Sequence, residues 1–436
     1  MKSLAIIGAG PMGLALGYFL AQQGFRPVIF EADDRPGGMS ATFDFDGLEI
    51  ERYYHFINRP DVYLFDLLKD LGLYDLLKWR QTKMGYYIQN SKGRFKLHAW
   101  GNPFALLRFD DAPLISRLRY GFHVFRCKFL KDLTSLDNVS AKDWIVKWEG
   151  ERGYDFFWRA LFEKKFYEYC DPLSAAWIAS RIRRVANSRD SIFHESLGYL
   201  EGGTIVLIKA LVDSILEGGG SILYNHLVKR VIPKSEGLGA KVITQNDEEY
   251  LFDLIISTIP LPYLNGIIDN LPNGYQESLD KIVNVGCICV LFKLQTKLTD
   301  NFWLNIDVKS WDIPGIIEYS NLCPMPCALI YLPFYCPTSH PNWLLDDVEI
   351  VEKAITYIKK INAEATSTLI GAAVNRYKYA QPVCPPGFLK QIPDMHTGLD
   401  GILAADTTHS YFEDRSINES TFIAKKLCDI IISQYT

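Results

Sequence analysis

The sequence of 436 residues predicts an α/β fold in which a discontinuous Rossmann-like domain carries an inserted α+β domain. Three observations predict this fold. An apolar run, a glycine-rich turn and a helical segment occupy 4–31, a second glycine pair lies at 37–38, and another apolar run ends in an acid within 401–406. Each pattern is typical of a nucleotide-binding sheet. Because the patterns lie far apart in the chain, we expect the residues between them to form a second domain.

The first pattern is a βαβ unit with the spacing Gly-x-Gly-x-x-Gly. Gly8 permits the tight turn, Gly10 lets the backbone approach a pyrophosphate, and Gly13 brings the helix close to the strand. The helix N-terminus supplies free N–H groups and a partial positive charge. Glu31 ends the second strand, where its carboxylate can accept hydrogen bonds from a ribose. The predicted cofactor contacts in the turn are Gly8, Gly10, Pro11, Met12 and Gly13.

The second glycine pair distinguishes between two dinucleotides. An extended FAD needs a second close approach of the backbone, whereas a nicotinamide dinucleotide does not. A short apolar strand also ends at Asp406, which can reach the ribityl or pyrophosphate portion, and the next helix can face the flavin pyrimidine edge. The sequence therefore predicts FAD rather than NAD. The further predicted contacts are Gly37, Gly38, Met39, Ser40, Asp406, Ser416, Ile417 and Asn418.

These segments resemble the FAD-dependent amine oxidase superfamily, in the branch of protoporphyrinogen oxidases, phytoene-type desaturases and UDP-galactopyranose mutases. The resemblance implies an adenine contact at Val228, and noncovalent FAD, because no cysteine lies where a flavin is usually attached. The stretch 177–184 looks most like the mutases. Met39 replaces the usual arginine of the superfamily, and Ala405-Asp406 replaces the Gly-Arg of the mutases. These two departures favour the oxidases and desaturases.

The nucleotide-binding segments set the expected domain boundaries. The FAD-binding domain comprises 1–50, 195–262 and 385–436, and it is therefore discontinuous in the sequence. The two insertions, 51–194 and 263–384, are expected to fold together as an α+β substrate domain.

Composition adds expectations about partners and location. A net charge of −5 gives no reason to expect a nucleic-acid partner. The nine cysteines have no regular spacing, which indicates a reducing compartment. The cysteine pairs lack nearby histidine pairs, so we expect no metal site. We expect no transmembrane helix because no apolar run is long enough, and the early first strand leaves no room for a cleavable signal. We therefore expect a cytoplasmic protein that acts on a small-molecule substrate.

Three side chains are candidates for the chemistry. His55 lies where the resemblance brings the chain beside the flavin, so it could exchange a proton there or be a core histidine satisfied by the backbone. Arg181 shares a helical face with Arg184 and could hold an anionic substrate group or belong to a salt-bridged hinge. Tyr411 follows Asp406 and could line a flavin-facing pocket or belong to the core.

The segment 115–131 predicts an amphipathic helix with many basic side chains. Such a helix could contact an anionic membrane surface peripherally. We favour the alternative of a core-facing helix with a solvated basic side, because Gly121 weakens an autonomous helix.

The leading hypothesis is a FAD-dependent oxidoreductase, similar to amine oxidases and desaturases, that removes a hydride from an organic substrate. An anionic compound linked to a sugar or an isoprenoid is one candidate substrate. The alternative is a non-redox flavoenzyme similar to UDP-galactopyranose mutase, acting on a nucleotide sugar. A third hypothesis is a flavin-binding protein without catalytic activity.

Overall fold

The computed structural model describes residues 2–90, 92–189, 191, 195–234 and 239–435. The strands are β1 (Leu4–Ile7), β2 (Val28–Phe30), β3 (Thr42–Asp44), β4 (Glu49–Glu51), β5 (Leu77–Thr82), β6 (Met84–Gln89), β7 (Phe95–Trp100), β8 (Glu195–Leu200), β9 (Ser221–Leu223), β10 (Val228–Ile232), β11 (Ala240–Thr244), β12 (Glu249–Phe252), β13 (Leu254–Ser257), β14 (Asn284–Leu294), β15 (Trp303–Asp307), β16 (Gly315–Glu318), β17 (Ala328–Cys336), β18 (Leu369–Pro382) and β19 (Ile402–Ala404). The α-helices are α1 (Pro11–Gln22), α2 (Val62–Asp70), α3 (Pro103–Arg108), α4 (Leu114–Cys127), α5 (Ala141–Glu149), α6 (Glu151–Phe157), α7 (Arg159–Phe166), α8 (Ala175–Asn187), α9 (Ile205–Glu217), α10 (Leu264–Ile267), α11 (Asn273–Asp280), α12 (Asp347–Ile361), α13 (Ala363–Thr366) and α14 (Ile417–Tyr435).

A five-stranded parallel sheet carries the glycine turn, and its strand order is β19-β13-β1-β2-β9. At its centre, Ile6 lies beside Ile256 on one neighbour and beside Ile29 on the other. Helix α1 packs against α9 and α14, and these helices share one apolar core with the sheet. The α/β, Rossmann-like fold class predicted from the sequence is therefore confirmed.

A seven-stranded mixed sheet faces the parallel sheet across a cavity, and its order is β18-β14-β17-β16-β15-β6-β7. The neighbouring strands are antiparallel except for β15 and β6, which run parallel. Helix α12 packs on one side of this sheet. The described strands of the parallel sheet come from the segments expected for the FAD-binding domain, and those of the mixed sheet from the segments expected for the substrate domain. The domain boundaries themselves remain predictions.

Helix α4 differs from its prediction as a core-facing helix. Its apolar stripe points outward, and the buried side chains are instead Ser116, His123 and Cys127. His123 Nδ1 lies 2.7 Å from the Glu149 carboxylate, which also accepts a hydrogen bond from an indole N–H. The contact of His123 with Glu149 therefore attaches the inner face of α4 to the end of α5. Within the described residues, every helix is too short or too polar to cross a lipid bilayer.

Candidate functional site

A cavity of about 540 Å³ lies where the two sheets face each other. It collects most of the side chains and turns that the sequence predicted as functional. The predicted residues that line it are Gly8, Gly10, Pro11, Met12, Glu31, Gly38, Met39, Ser40, His55, Arg181, Val228, Asp406, Ser416, Ile417 and Asn418. Gly13, Gly37 and Tyr411 are not among its lining residues.

The first glycine turn has the backbone geometry of a cofactor cradle. Gly8 has a φ of +102° and donates its N–H to the carbonyl of Phe30 at 2.8 Å. A Cβ atom on Gly13 would stand 1.9 Å from the Gly8 carbonyl oxygen, so the absence of a side chain at Gly13 permits the close contact between helix and strand. A Cβ atom on Gly10 would meet no protein atom within 4 Å and would enter the cavity. Gly10 therefore leaves room for a ligand beside the N-terminus of α1.

Glu31 joins this turn to the end of β2. Its Oε2 accepts a hydrogen bond from the Ala9 N–H at 2.7 Å, and its Oε1 accepts one from the Asp33 N–H at 2.9 Å. Burial raises the pKa of the Glu31 carboxyl, while the two N–H groups oppose that change. The carboxylate faces the cavity with acceptor capacity left for hydroxyl groups.

The second glycine pair packs directly on the first turn. Gly37 has a φ of +116° and donates its N–H to the Ala9 carbonyl at 2.8 Å, which places it behind the cavity wall. A Cβ atom on Gly38 would lie 3.2 Å from the Gly10 Cα. The two turns thus form one continuous wall. Gly37 shapes that wall, and its direct contact with a cofactor stays a prediction.

The C-terminal part of the site is built around Asp406. Its Oδ1 accepts the Thr408 N–H at 2.8 Å and its Oδ2 accepts the Leu261 N–H at 2.9 Å. These bonds hold the carboxylate at the cavity and join β19 to the loop after β13. Asn418, in the first turn of α14, accepts the Leu64 N–H at 3.0 Å. Ser416, Ile417 and Asn418 line the cavity, so the N-terminus of α14 opens onto it, as the predicted flavin contact requires.

His55 is held by side chains and not by the backbone. Its Nδ1 lies 2.5 Å from Glu51 Oε2, and its Nε2 lies 3.4 Å from Ser40 Oγ. The imidazole lines the cavity, whereas Glu51 is buried behind it. The sequence reasoning missed Glu51. Glu51 ends a strand and lies four residues before His55, and this spacing was the signal that could have identified it.

The arginine group on α8 is arranged as ion pairs. Arg181 Nη1 lies 2.7 Å from Asp414, Arg183 Nη2 lies 2.6 Å from Glu413, and Arg184 Nη2 lies 2.9 Å from Asp61. Arg181 and Arg184 line the cavity, but each already has a carboxylate partner. These contacts match the salt-bridged alternative for Arg181.

Asp414 is buried among positive charges. Burial disfavours its ionised form, yet Arg181, Lys165 and Arg415 together hold the pKa of the Asp414 carboxyl well below its usual range. Arg415 donates a hydrogen bond from Nη2 to the Tyr335 hydroxyl at 3.2 Å and another from Nη1 to Gln381. This corner of the cavity therefore carries more positive than negative charge.

Tyr411 is not among the residues that line the cavity, and its catalytic role stays a prediction. Its hydroxyl is 2.7 Å from both Asp137 Oδ1 and Ser174 Oγ. Its ring packs at right angles on Phe388, with the centroids 5.2 Å apart. The reason is packing: the loop after Asp406 turns its aromatic side chains into the helical core.

Lys165 is a cavity residue that the sequence did not reveal. Its Nζ lies 5.1 to 5.5 Å from the ring centroids of Phe166, Trp177 and Tyr335. Burial, followed by the charge of Arg181, lowers the pKa of this lysine well below its usual range. On a helix that carries several other charged residues, nothing in the sequence distinguishes Lys165 from a solvated side chain.

The comparison with known families agrees with this geometry. The family described as flavin containing amine oxidoreductase matches residues 13–375. The chain belongs to this family. It is therefore a flavin-dependent oxidoreductase, and the amine oxidase resemblance of the sequence is confirmed.

Individual relatives are distant over most of the chain. The 15-cis-phytoene desaturase of Glycine max is 24% identical over 99% of this chain and 79% of its own length. Among solved structures, a putative protoporphyrinogen oxidase from Exiguobacterium sp. 255-15 has a TM-score of 0.71 at 17% identity, covering 99% of each chain. A reduced UDP-galactopyranose mutase has a TM-score of 0.75 at 18% identity, covering 100% of this chain and 96% of its own. These structural likenesses show a shared fold.

Proposed function

We propose that the flavin is noncovalently bound FAD and that the enzyme removes a hydride from an organic substrate. One observation supports the proposal most strongly. A single cavity is lined by both glycine turns, by Asp406 and the N-terminus of α14, and also by His55 and the positively charged corner. The first group of residues suits a dinucleotide, and the second suits the reacting end of a substrate.

The residues around the cavity fit FAD. The open space at Gly10 admits the pyrophosphate, Glu31 offers acceptors to the adenosine ribose, and Val228 would contact the adenine. The N-terminus of α14 would favour negative charge on the pyrimidine edge. When bound, the flavin supplies the acceptor for the hydride. The protein then positions the substrate, excludes water and holds a proton at His55.

We further propose that the substrate is anionic, with a sugar-linked or isoprenoid-linked compound as the candidate class. The corner formed by Arg181 and Arg415 supports an anionic group, because both guanidinium groups act on the same carboxylate, that of Asp414. The aromatic wall supports an apolar or ring-bearing portion. Its cavity-lining members are Tyr54, Phe56, Trp303, Tyr319, Tyr335, Tyr377 and Tyr379. A reducing, cytoplasmic compartment is proposed as well, since all nine cysteines are unpaired.

The test is an anaerobic spectrum of the purified protein. We expect a yellow protein that releases intact FAD on heating, and whose colour is bleached by its substrate and restored by air or another acceptor. Gly10→Val should lose the FAD without unfolding, because its side chain enters the cavity. Gly266→Val is the matched control, since a Cβ atom there also meets no protein atom within 4 Å. A requirement for pre-reduced FAD, with isomeric substrate and product, would instead support the mutase alternative.

We also propose that 115–131 contacts the surface of a membrane. On α4 and just beyond it, Ile115, Leu118, Phe122, Phe125 and Phe129 expose 56 to 68% of their surface. Arg117, Arg119, Arg126, Lys128 and Lys131 belong to the same segment, which contains no acidic residue. The positive charge of this segment contrasts with the net charge of −5 of the whole chain.

Helix α3 extends the same surface. Phe104 and Leu107 are exposed beside α4, and α3 packs against that helix. Exposed apolar side chains together with basic ones are typical of a helix that lies in the interface of an anionic bilayer. An anionic lipid surface is therefore the proposed occupant.

Vesicle sedimentation tests this contact. The protein should pellet with vesicles that contain phosphatidylglycerol and should pellet less with phosphatidylcholine alone. Phe122→Ser combined with Phe125→Ser should reduce the pelleted fraction at least about fivefold. Leu344→Ser combined with Val348→Ser removes exposed apolar side chains elsewhere and should change nothing. Equal pelleting of both double variants, or a concentration-dependent dimer that Phe122→Ser abolishes, would contradict the proposal.

A further inference from the structure

At the cavity wall, three side chains form a continuous polar chain from a buried acid to the second glycine turn. Glu51 Oε2 lies 2.5 Å from His55 Nδ1, and His55 Nε2 lies 3.4 Å from Ser40 Oγ. Glu51 ends β4, and Ser40 belongs to the short helical turn that follows Gly37. His55 and Ser40 both line the cavity.

The surroundings of Glu51 offer few groups that could balance a negative charge. Among the described contacts, Glu51 Oε1 accepts one hydrogen bond, from the Thr204 N–H at a long 3.3 Å. Besides His55, the described ionisable groups that interact with Glu51 include Tyr319, Tyr331 and Cys323, and burial raises the pKa of each of these three. These three groups are therefore neutral at physiological pH.

A buried carboxylate is stable only when hydrogen-bond donors satisfy it. Among the described side chains bonded to Glu51, only the imidazole of His55 can be that donor, so the proton must lie on Nδ1. Nε2 of the neutral ring is then an acceptor, and the Ser40 hydroxyl is the donor that faces it.

We infer that Glu51 is a positioning residue that keeps the His55 proton on Nδ1, so that Nε2 can exchange its long hydrogen bond from Ser40 for one from the substrate and accept the substrate's proton. The inference rests on the proposed hydride removal. A substrate with hydrogen on both carbon and its heteroatom loses a hydride from carbon to the flavin and a proton from the heteroatom to Nε2. The substrate is oxidised by two electrons, the flavin is reduced by two, and the carbon–heteroatom double bond forms. Glu51 would then balance the imidazolium charge.

The tautomer of His55 tests the inference without substrate. We expect nitrogen NMR of protein labelled in its histidines to show the Nδ1-protonated ring at pH 9, where an imidazole is normally neutral. The signal is assigned by its loss in His55→Gln. In Glu51→Gln the preference for Nδ1 should disappear, because the amide can donate as well as accept. Glu49→Gln is the matched control, since Glu49 lies on the same strand, exposed, and bonds Thr42 instead.

Kinetics provide the second measurement. Glu51→Gln should lower kcat about 10- to 100-fold with little change in KM, because general-base assistance is lost and binding is not. Ser40→Ala should keep the Nδ1 tautomer and lower kcat less. An unchanged tautomer in Glu51→Gln would overturn the inference. If Glu51→Gln alters the tautomer but no tested substrate bleaches the wild-type flavin, the proposed function is overturned. The pairing of Glu51 with His55 would then still stand.

Discussion

Buried carboxylates near the cavity differ in the partners that stabilise them. Asp61 and Asp414 each face an arginine, and Glu51 faces His55. Among the described contacts of Glu419, at the start of α14, its carboxylate accepts a hydrogen bond from the Asn418 amide, and its backbone N–H donates to the Ser416 hydroxyl. Burial therefore raises the pKa of the Glu419 carboxyl to about 7. Its ionisation should be visible in the stability of the protein.

Glu419→Gln should stabilise the protein at pH 8 and have little effect at pH 4.5. The folded-state pKa lies above the unfolded value of 4.5, so wild-type stability falls as pH rises from there to about 7. Removing the charge should recover about 1 to 3 kcal/mol at pH 8. Urea unfolding at both pH values measures the difference. The exposed Glu352→Gln serves as the control, and an equal gain at both pH values would contradict the explanation.

At single positions, the sequence predicted the residues whose role comes from local backbone geometry. Gly8 and Gly10 lie in one turn, to which Glu31 is joined through the Ala9 N–H, so the spacing alone predicted that the three residues share a site. Lys165 and Glu51 are different, because their role depends on neighbours brought together by the fold. A lysine becomes unusual only when the rings around it remove water, and no spacing pattern encodes that burial.

At the level of elements, the contact between α1 and β1 depends on the absence of a side chain at Gly13. A Cβ atom there would stand 1.9 Å from the Gly8 carbonyl oxygen and 2.8 Å from Thr258 Oγ1. Gly13→Ala should therefore push the helix away from the strand and destabilise the fold by about 2 kcal/mol or more. Urea unfolding of the variant measures this cost.

The same helix offers a matched control. At Gly17 the added Cβ would meet only the ends of the flexible Ile29 and Ile215 side chains, at 2.8 and 3.0 Å. Alanine also has a higher helix propensity than glycine, by about 1 kcal/mol. Gly17→Ala should thus cost much less than Gly13→Ala. Similar costs at the two positions would show that the close approach at Gly13 does not limit stability.

Helix α4 shows what periodicity can and cannot predict about an element. The 3.6-residue repeat correctly predicted an amphipathic helix. The repeat does not specify whether the apolar stripe faces the core or the solvent. The inner face is instead polar, where His123 meets Glu149. Only the tertiary structure showed that the stripe is the exposed side.

For the molecule as a whole, the sequence predicted the parallel sheet better than the mixed sheet. Glycine turns and strand-ending acids identify nucleotide-binding segments, even when they are far apart. The pairing of β6 with β15 joins Tyr86 to Asn305, more than two hundred residues later, and leaves no local pattern in either strand. The wall of the substrate side could therefore not be assembled from the sequence alone.

The strand order of the parallel sheet has a consequence for biosynthesis. On the ribosome, β1 and its glycine turn emerge long before their neighbour β13, and β19 and α14 are synthesised later still. Until then α1 lacks the helix it packs against most extensively, and the carboxylate of Asp406 is missing. A nascent chain can therefore present the phosphate-binding turn but cannot enclose a flavin. Enclosure of a cofactor must therefore follow the synthesis of α14, and until β13 is made the edge of β1 stays open to pairing with other chains.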